Sequence, residues 1–169
     1  MTTIAPTKAK VLKTKEQLAA ASTTPFTLGP AAPFTAWVGP SGVQANVVAA
    51  GYTFPSENVW VASPNQEFVL IFQPDGNLVL YQVYGTTPPL KPGLKLNGHV
   101  LWSPNTYPNQ NGTFAVQQDG NLVIYDVNKK VLWSPNTYGY TPAGLYVQDD
   151  GNVVMYKLEA TWNTGTNDT

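Results

Sequence analysis

The sequence predicts an all-β fold built from three repeats, and two observations support this prediction. Its 169 residues include 15 Pro and 14 Gly, and only 11% of them are charged, which favours a turn-rich β protein over a helical one. Nearly the same phrase then occurs three times, as QPDGNLVLY at 73–81, QQDGNLVIY at 117–125 and QDDGNVVMY at 148–156. The shared pattern, Q-x-D-x-N-x-V-x-Y, indicates a repeated structural unit.

Each motif is predicted to form a β-hairpin. Gln73 and Tyr81 are eight residues apart, and a straight strand would separate them by about 26 Å, at ~3.3 Å per residue. Asp75-Gly76 is a strong hairpin signal, so PDG is expected to turn the chain between the strands FVLIFQ and NLVLY. The turn then brings the two ends of the motif together.

Alternation along the returning strand separates a core face from an outer face. Leu78 and Leu80 are large and apolar, so they are expected to face the core. The outer face then carries Asn, Val and Tyr, with Gln and Asp brought alongside by the turn. In the three copies, the expected outer-face residues are Gln73, Asp75, Asn77, Val79 and Tyr81; Gln117, Asp119, Asn121, Val123 and Tyr125; and Gln148, Asp150, Asn152, Val154 and Tyr156.

A second phrase keeps the repeats in register. VLWSPNTY occurs at 100–107 and again, letter for letter, at 131–138. In both copies the Trp lies 15 positions before the Gln of the next motif, and the third copy ends in ATWNTGT, with Trp162 in the Trp place. Three repeats of a β-meander are therefore predicted.

The first repeat carries an insertion. Tyr81 and Trp102 are 21 positions apart, whereas Tyr125 and Trp133 are 8 apart. The extra segment, YGTTPPLKPGLKLNG, is expected to be an exposed loop beside the first motif. His99, the single His, is interpreted as a solvent-exposed residue of this region, which argues against a catalytic role.

Residues 1–44 are predicted to form an N-terminal extension, and 45–169 the repeat domain. The extension is dense in Lys, then in Pro and Gly, so its first 24 or so residues are expected to be mobile. Its aromatic residues Phe26, Phe34 and Trp37 are less typical of disorder and are expected to pack on the domain or on a partner.

Charge and composition exclude several classes of function. The net charge is −1 and all nine basic residues are Lys, which argues against nucleic-acid binding. No apolar run approaches the ~20 residues of a membrane span, and no secretory signal is evident, so a protein that is cytoplasmic or released without a signal peptide is expected. With no Cys and one His, an enzyme is not expected.

The predicted outer face suits a sugar. It offers two amides, one carboxylate, one phenol and a small apolar floor, which match the hydroxyls and the C–H patch of a pyranose ring. The set lacks the cations for phosphate and the carboxylates for calcium, so no metal or cofactor is expected. Turn formation alone explains Asp and Gly, but it does not explain Gln and Tyr in every copy.

These residues resemble the monocot mannose-binding lectins, also called bulb-type lectins, over about 45–165. The resemblance implies a β-prism of the second type, with three antiparallel four-stranded sheets around a pseudo-threefold axis and with Trp102, Trp133 and Trp162 at its centre. It implies calcium-independent binding of mannose: Asp and Asn bind the 2-hydroxyl, Gln the 3-hydroxyl and Tyr the 4-hydroxyl, while Val packs on the ring.

The chain departs from the family at several points. A disulfide that is common in secreted members is absent, and Gly76 and about Gly112 stand in its place. Family members often form dimers by exchange of a C-terminal strand, which here corresponds to 159–164. The alternatives are a lectin-like bacteriocin or toxin that targets surface glycans, a prism without working sites, and a β-trefoil.

Overall fold

The structure, a computed structural model, describes residues 24–38, 44–84 and 89–157. These residues form thirteen β-strands, which are arranged in three antiparallel sheets. The prediction of an all-β fold with three antiparallel sheets is therefore confirmed. Within the same ranges, no helix has the length and hydropathy of a membrane span.

Each sheet contains one copy of the motif. The first sheet comprises, in spatial order, β1 (Thr24–Thr27), β8 (Lys95–Trp102), β7 (Leu78–Val83), β6 (Phe68–Phe72) and β5 (Val59–Ala62). The second comprises β11 (Val131–Trp133), β10 (Leu122–Tyr125), β9 (Thr113–Val116) and β4 (Thr53–Pro55). The third comprises β13 (Val153–Lys157), β12 (Pro142–Gln148), β3 (Gln44–Val48) and β2 (Thr35–Val38).

Two strands of the predicted N-terminal extension are paired into the sheets. Strand β1 pairs with β8, from Thr24 opposite Gly98 to Thr27 opposite Lys95, and gives the first sheet five strands rather than the four expected. Strand β2 pairs with β3 at the edge of the third sheet. Residues 1–23, which include most of the segment predicted to be mobile, lie outside the described residues.

The inner faces of the three sheets enclose the main core. Leu78 and Leu80 are each 2% exposed and belong to this core, as alternation along the strand predicted. Phe54, Phe72 and Phe114 fill the space between the first and second sheets and have no exposed surface. Each fully buried apolar side chain of this size contributes about 1.5–3 kcal/mol to folding.

Trp102 and Trp133 lie next to each other where the three sheets meet, and Trp102 is 38% exposed there. Their ring centroids are 5.4 Å apart in an edge-on arrangement, and both rings line an apolar pocket of about 230 Å³. Leu70, Leu122 and Leu145 line the same pocket, so every sheet contributes to it. Trp162, the third predicted central Trp, lies outside the described residues.

The outer face of the first sheet carries a second core. Val69 and Ile71 of β6 are fully buried there, together with Phe26 from β1. Leu90 and Leu96 of the insertion are 8% and 6% exposed and belong to the same cluster. The prediction that the whole insertion is an exposed loop is therefore wrong, because its apolar residues cover apolar residues of the sheet.

His99 also lies elsewhere than predicted. It belongs to β8, where it is opposite Gln82 of β7, and its side chain is half-buried. The insertion contributes the first residues of β8, so the strand begins earlier than the Trp-containing phrase suggested.

Candidate functional site

All three motifs fold back through the same three-residue turn. In the first motif, the Gln73 N–H donates to Asn77 O (2.9 Å) and the Gly76 N–H donates to Gln73 O (2.9 Å). Gly76 has φ of +77°, a left-handed conformation that glycine adopts without strain. Gly120 and Gly151 repeat this conformation and this hydrogen bond, so the Asp-Gly turn predicted from the sequence forms three times.

The turn brings Gln and Tyr of each motif into direct contact. Gln Nε2 donates to the Tyr hydroxyl at 3.0 Å, 2.9 Å and 3.0 Å in the three motifs. Because the phenol oxygen accepts this bond, its hydrogen is directed elsewhere, and the Gln Oε1 remains an acceptor. Tyr81 is opposite Val69 and Gln73 bonds to Asn77 across the turn, so the Gln and Tyr side chains meet by reaching along the sheet face.

The Asp of each motif supports the turn with one of its two oxygens. Oδ1 accepts the N–H of the following Asn at 3.0 Å for Asp75, 2.9 Å for Asp119 and 2.9 Å for Asp150. Local turn chemistry therefore explains one carboxylate oxygen. The other oxygen is left as an acceptor at the exposed end of each motif.

The SPNT segments, at 103–106 and 134–137, hold the side chain of the motif Asn in place. Asn121 Oδ1 accepts the Ser134 hydroxyl (2.9 Å) and the Thr137 N–H (3.0 Å). Asn77 Oδ1 accepts Ser103 (2.8 Å) and the Thr106 N–H (3.1 Å) in the same way. With its oxygen used, each Asn keeps its NH₂ group for another partner.

Motifs one and two therefore keep the same four polar groups for a ligand. These are two donors, Asn Nδ2 and the Tyr hydroxyl, and two acceptors, the second Asp oxygen and Gln Oε1. Donors and acceptors alternate around a Val side chain, which supplies an apolar floor. This arrangement suits a ring that carries several neighbouring hydroxyls, because each hydroxyl can both donate and accept.

The first motif is covered by the chain itself. Phe26 stacks on Tyr81 with ring centroids 4.2 Å apart and ring planes at 15°. Tyr81 is 2% exposed and Val79 3% exposed, while Asp75 at the turn remains exposed. Burial raises the pKa of the Tyr81 phenol, the hydrogen bond from Gln73 lowers it, and the charge of Asp75 raises it. The residues of the first motif come together as predicted, but the Phe26 ring covers the face of Tyr81.

The second motif is more open than the first in its Tyr side chain. Asp119 is exposed, and Gln117 and Tyr125 are half-buried. Val123 is 3% exposed and lies opposite Ala115, a small residue on the neighbouring strand. The predicted residues of this motif therefore lie together on β10 and at the turn that precedes it.

The third motif has an exposed phenol. Tyr156 is 43% exposed, and the buried Tyr146 meets it edge-on at 4.9 Å. Burial raises the pKa of Tyr146, and the charge of Tyr156 raises it further. The neighbouring Asp149 accepts the Asn65 N–H (2.8 Å), so this carboxylate links the turn to the first sheet while Asp150 belongs to the motif.

The site chemistry contains no metal centre in the part of the chain that the structure describes. No three His, Asp or Glu side chains gather there closely enough to hold an ion. The three motif carboxylates lie in separate sheets, each beside amides and a phenol.

No protein-family model matches the chain, and no curated protein matches it, but solved structures do. A mannose-specific lectin from Dutch crocus (Crocus vernus) covers 68% of this chain and 90% of its own, with a TM-score of 0.52 and 23% identity, and shows the fold. A monocot mannose-binding lectin from Gastrodia elata is 30% identical, covering 70% of this chain and 96% of its own, with a TM-score of 0.48.

The mannose-specific agglutinin of snowdrop (Galanthus nivalis) bulbs, in complex with methyl-α-D-mannoside, matches in both sequence and fold. It is 29% identical, covers 71% of this chain and 95% of its own, and has a TM-score of 0.50. The chain belongs to the monocot mannose-binding, or bulb-type, lectin family. The resemblance predicted from the three motifs and the β-prism that it implied are thereby confirmed.

In this bulb-type lectin, Asn109 packs against both glycines that were predicted to replace the disulfide. A β-carbon on Gly76 would collide with Asn109 O, and one on Gly112 with Asn109 Nδ2. The Asn109 N–H donates to Asp75 O (2.6 Å), and its Nδ2 donates to Tyr125 O (3.2 Å). Hydrogen bonds from one buried Asn thus connect the first turn to the second repeat of the lectin.

Two features of the motif surroundings were missed in the sequence. Ser134 and Thr137, with Ser103 and Thr106, hold the Asn of the motif, and the letter-for-letter repeat of SPNT was the available signal. The stacking of Phe26 on Tyr81 was foreseen only as general packing of the extension, because nothing in the sequence specifies the register of β1.

Proposed function

We propose that this bulb-type lectin binds mannose and mannose-rich glycans, without catalysis and without calcium. The observation that supports the proposal is the same Gln–Tyr pair and Asp-supported turn in three motifs. They occur in a chain that is similar to an agglutinin whose structure contains methyl-α-D-mannoside. Ligand hydroxyls would replace the water that now solvates the four polar groups.

Each group has a role in this proposal. The second oxygen of Asp119 and Nδ2 of Asn121 would accept from and donate to the 2-hydroxyl, while Gln117 would bind the 3-hydroxyl. Tyr125 would bind the 4-hydroxyl, and Val123 would pack on the ring carbons. Each hydrogen bond contributes only about 0.5–1.5 kcal/mol net, so one site is expected to bind a monosaccharide at about millimolar Kd.

Sites two and three are proposed to act together, whereas site one does not take part. The Phe26 ring lies on Tyr81, so a sugar would have to displace this buried ring. Two sites on one rigid domain can gain orders of magnitude in apparent affinity for a branched glycan, through effective concentration. Binding to high-mannose surfaces should therefore greatly exceed binding to free mannose.

A homodimer is proposed as the assembled form. Val131 and Leu132 on the edge strand β11 are 51% and 39% exposed, and Val100 on β8 is 42% exposed. An exposed apolar edge strand favours pairing with another chain. Exchange of the C-terminal segment 159–164 remains the proposed route. Analytical ultracentrifugation of the full chain and of Val131→Lys tests this proposal, and a monomeric wild type would refute it.

A glycan array tests the proposed function. The wild type is compared with the double variant Asp119→Ala/Asp150→Ala, with and without a calcium chelator, after circular dichroism has verified the fold of both proteins. We expect mannose-dependent signal that survives the chelator and disappears in the variant. Signal that persists in the variant would place the ligand elsewhere on the molecule, and an empty array for the wild type would refute the proposal.

A further inference from the structure

We propose that Ser134 and Thr137 are positioning residues of site two. They fix the side-chain amide of Asn121 so that its NH₂ group, and not its oxygen, faces the ligand. The inference rests on the proposed sugar-binding function, and it assigns roles to residues that lie outside the Q-x-D-x-N-x-V-x-Y motif.

The orientation of the Asn121 amide follows from the donors around it. The backbone N–H of Thr137 can only donate, and it lies 3.0 Å from Asn121 Oδ1. The Ser134 hydroxyl accepts the N–H of Asn136 (3.0 Å), so its own hydrogen is free to reach Asn121 Oδ1 at 2.9 Å. Two donors therefore converge on one atom, which must be the carbonyl oxygen.

The same segment also holds the turn on which Asn121 sits. The Thr137 hydroxyl donates to Gly120 O at 2.9 Å, and the Asn121 N–H donates to Asp119 Oδ1 at 2.9 Å. Asn121 is thus held through its backbone by the turn and through its side chain by Ser134 and Thr137. With 8% of its surface exposed, the residue has little room to change rotamer.

The fixed orientation decides which ligand group fits beside Asp119. The carboxylate oxygen is an acceptor and the NH₂ group is a donor, so together they can accept from and donate to one hydroxyl. A reversed amide would place two acceptors side by side, and a single hydroxyl hydrogen cannot satisfy both. Loss of the positioning contacts should therefore weaken sugar binding, although neither residue contacts the sugar.

The first repeat provides a matched control. Ser103 and Thr106 make the same contacts with Asn77, at 2.8 Å and 3.1 Å, and the Thr106 hydroxyl donates to Gly76 O at 2.7 Å. Phe26 covers Tyr81 of that motif, so a sugar that needs the Tyr face is not expected to bind there. Removal of the Ser103 hydroxyl should disturb the fold as much as removal of the Ser134 hydroxyl, but it should leave sugar binding unchanged.

The experiment compares Ser134→Ala, Ser103→Ala and the hydroxyl-retaining variant Ser134→Thr. Methyl-α-D-mannoside is titrated into each protein, and backbone amide NMR signals near sites two and three report binding separately. We expect Ser134→Ala to weaken binding at site two by about fivefold or more, because one hydrogen bond of ~1 kcal/mol is lost. The affinity of site three should be the same in Ser134→Ala as in the wild type. At site two, Ser103→Ala should bind as the wild type does, and Ser134→Thr should retain most of the affinity.

A second readout does not need the sugar. The order parameter of the Asn121 side-chain amide should be high in the wild type and in Ser103→Ala, and it should fall in Ser134→Ala. Equal affinity of Ser134→Ala and wild type, or an unchanged order parameter, would overturn the positioning role. If the wild type binds no mannoside, while the Asn121 amide loses order in Ser134→Ala, the proposed function is refuted and the positioning of Asn121 is supported.

Discussion

Phe26 lies flat on the ring of Tyr81, with their centroids 4.2 Å apart and their planes 15° from parallel. The two residues come from different parts of the chain: Phe26 from strand β1 near the N-terminus, and Tyr81 from the end of the first motif. The face that sites two and three present outward is thereby buried in the first repeat. A residue of the chain itself takes the place where a ligand of site one would lie.

The first prediction concerns the stability that this contact provides. Phe26→Ala should lower the free energy of unfolding by about 3–5 kcal/mol, because a buried aromatic ring is removed from a packed cluster. Denaturant unfolding measures the change. Phe34→Ala is the control, since Phe34 is 44% exposed and its removal should change stability by about 0.5 kcal/mol or less. Equal effects of both substitutions would contradict the burial of Phe26.

The second prediction concerns Gly98, which leaves room for the stacked pair. A β-carbon at this position would lie 2.7 Å from Tyr81 Cδ1 and 2.9 Å from Phe26 Cε1. Gly98→Ala should therefore destabilise the fold by about 1–3 kcal/mol through overpacking. In a Phe26→Ala background the same substitution should be less harmful, because one of the two rings is gone. A double-mutant cycle measures this coupling, and strictly additive effects would argue against it.

The third prediction separates site one from site two. Asp75 and Asp119 support their turns through equivalent hydrogen bonds, of 3.0 Å and 2.9 Å, so replacement by Ala should reduce stability by a similar ~1 kcal/mol. Only Asp119→Ala should weaken binding to a mannose-coated surface, because site one is covered. Surface plasmon resonance, normalised to the folded fraction, provides the comparison. A large loss of binding in Asp75→Ala would show that site one opens in solution.

Much of the fold could be predicted because the sequence contains three copies of motifs whose contacts are local. The Asp-Gly turns, the alternation of Leu78 and Leu80 with polar neighbours, and the pairing of Gln with Tyr all depend on contacts within about ten residues. The residues that make each such contact occur three times in the sequence, and a chance match in one copy would not recur in the other two.

The rest depended on contacts between distant segments. The pairing of β1 with β8 joins residues about seventy positions apart, and a four-residue strand with one buried side chain gives no signal of its partner. The insertion contains both exposed Pro and the buried Leu90 and Leu96, and only the three-dimensional neighbours distinguish them. The sequence therefore predicted which residues of the first motif come together, but it did not predict that Phe26 covers Tyr81.

The last prediction is a loss of stability at alkaline pH that involves Tyr81. Burial raises the pKa of its phenol above the ordinary value of 10.0, with a smaller increase from the charge of Asp75 and an opposing decrease from the Gln73 hydrogen bond. In the unfolded chain the phenol ionises near pH 10. As the pH rises above 10, the unfolded state loses a proton that the folded state retains, so the free energy of unfolding must fall.

This contribution is fully present below pH 10 and is lost as the pH rises toward the folded-state pKa of Tyr81. Urea unfolding at pH 8 and at several values above 10 measures it. Tyr81→Phe should lower stability at pH 8, since the bond to Gln73 is lost, but its stability should decline less steeply above pH 10. Tyr138→Phe is the control, because the Tyr138 ring is 64% exposed and its removal should leave the steepness unchanged. If the free energy of unfolding of Tyr81→Phe declines as steeply above pH 10 as that of the wild type, burial of the Tyr81 phenol does not cause the loss of stability at alkaline pH.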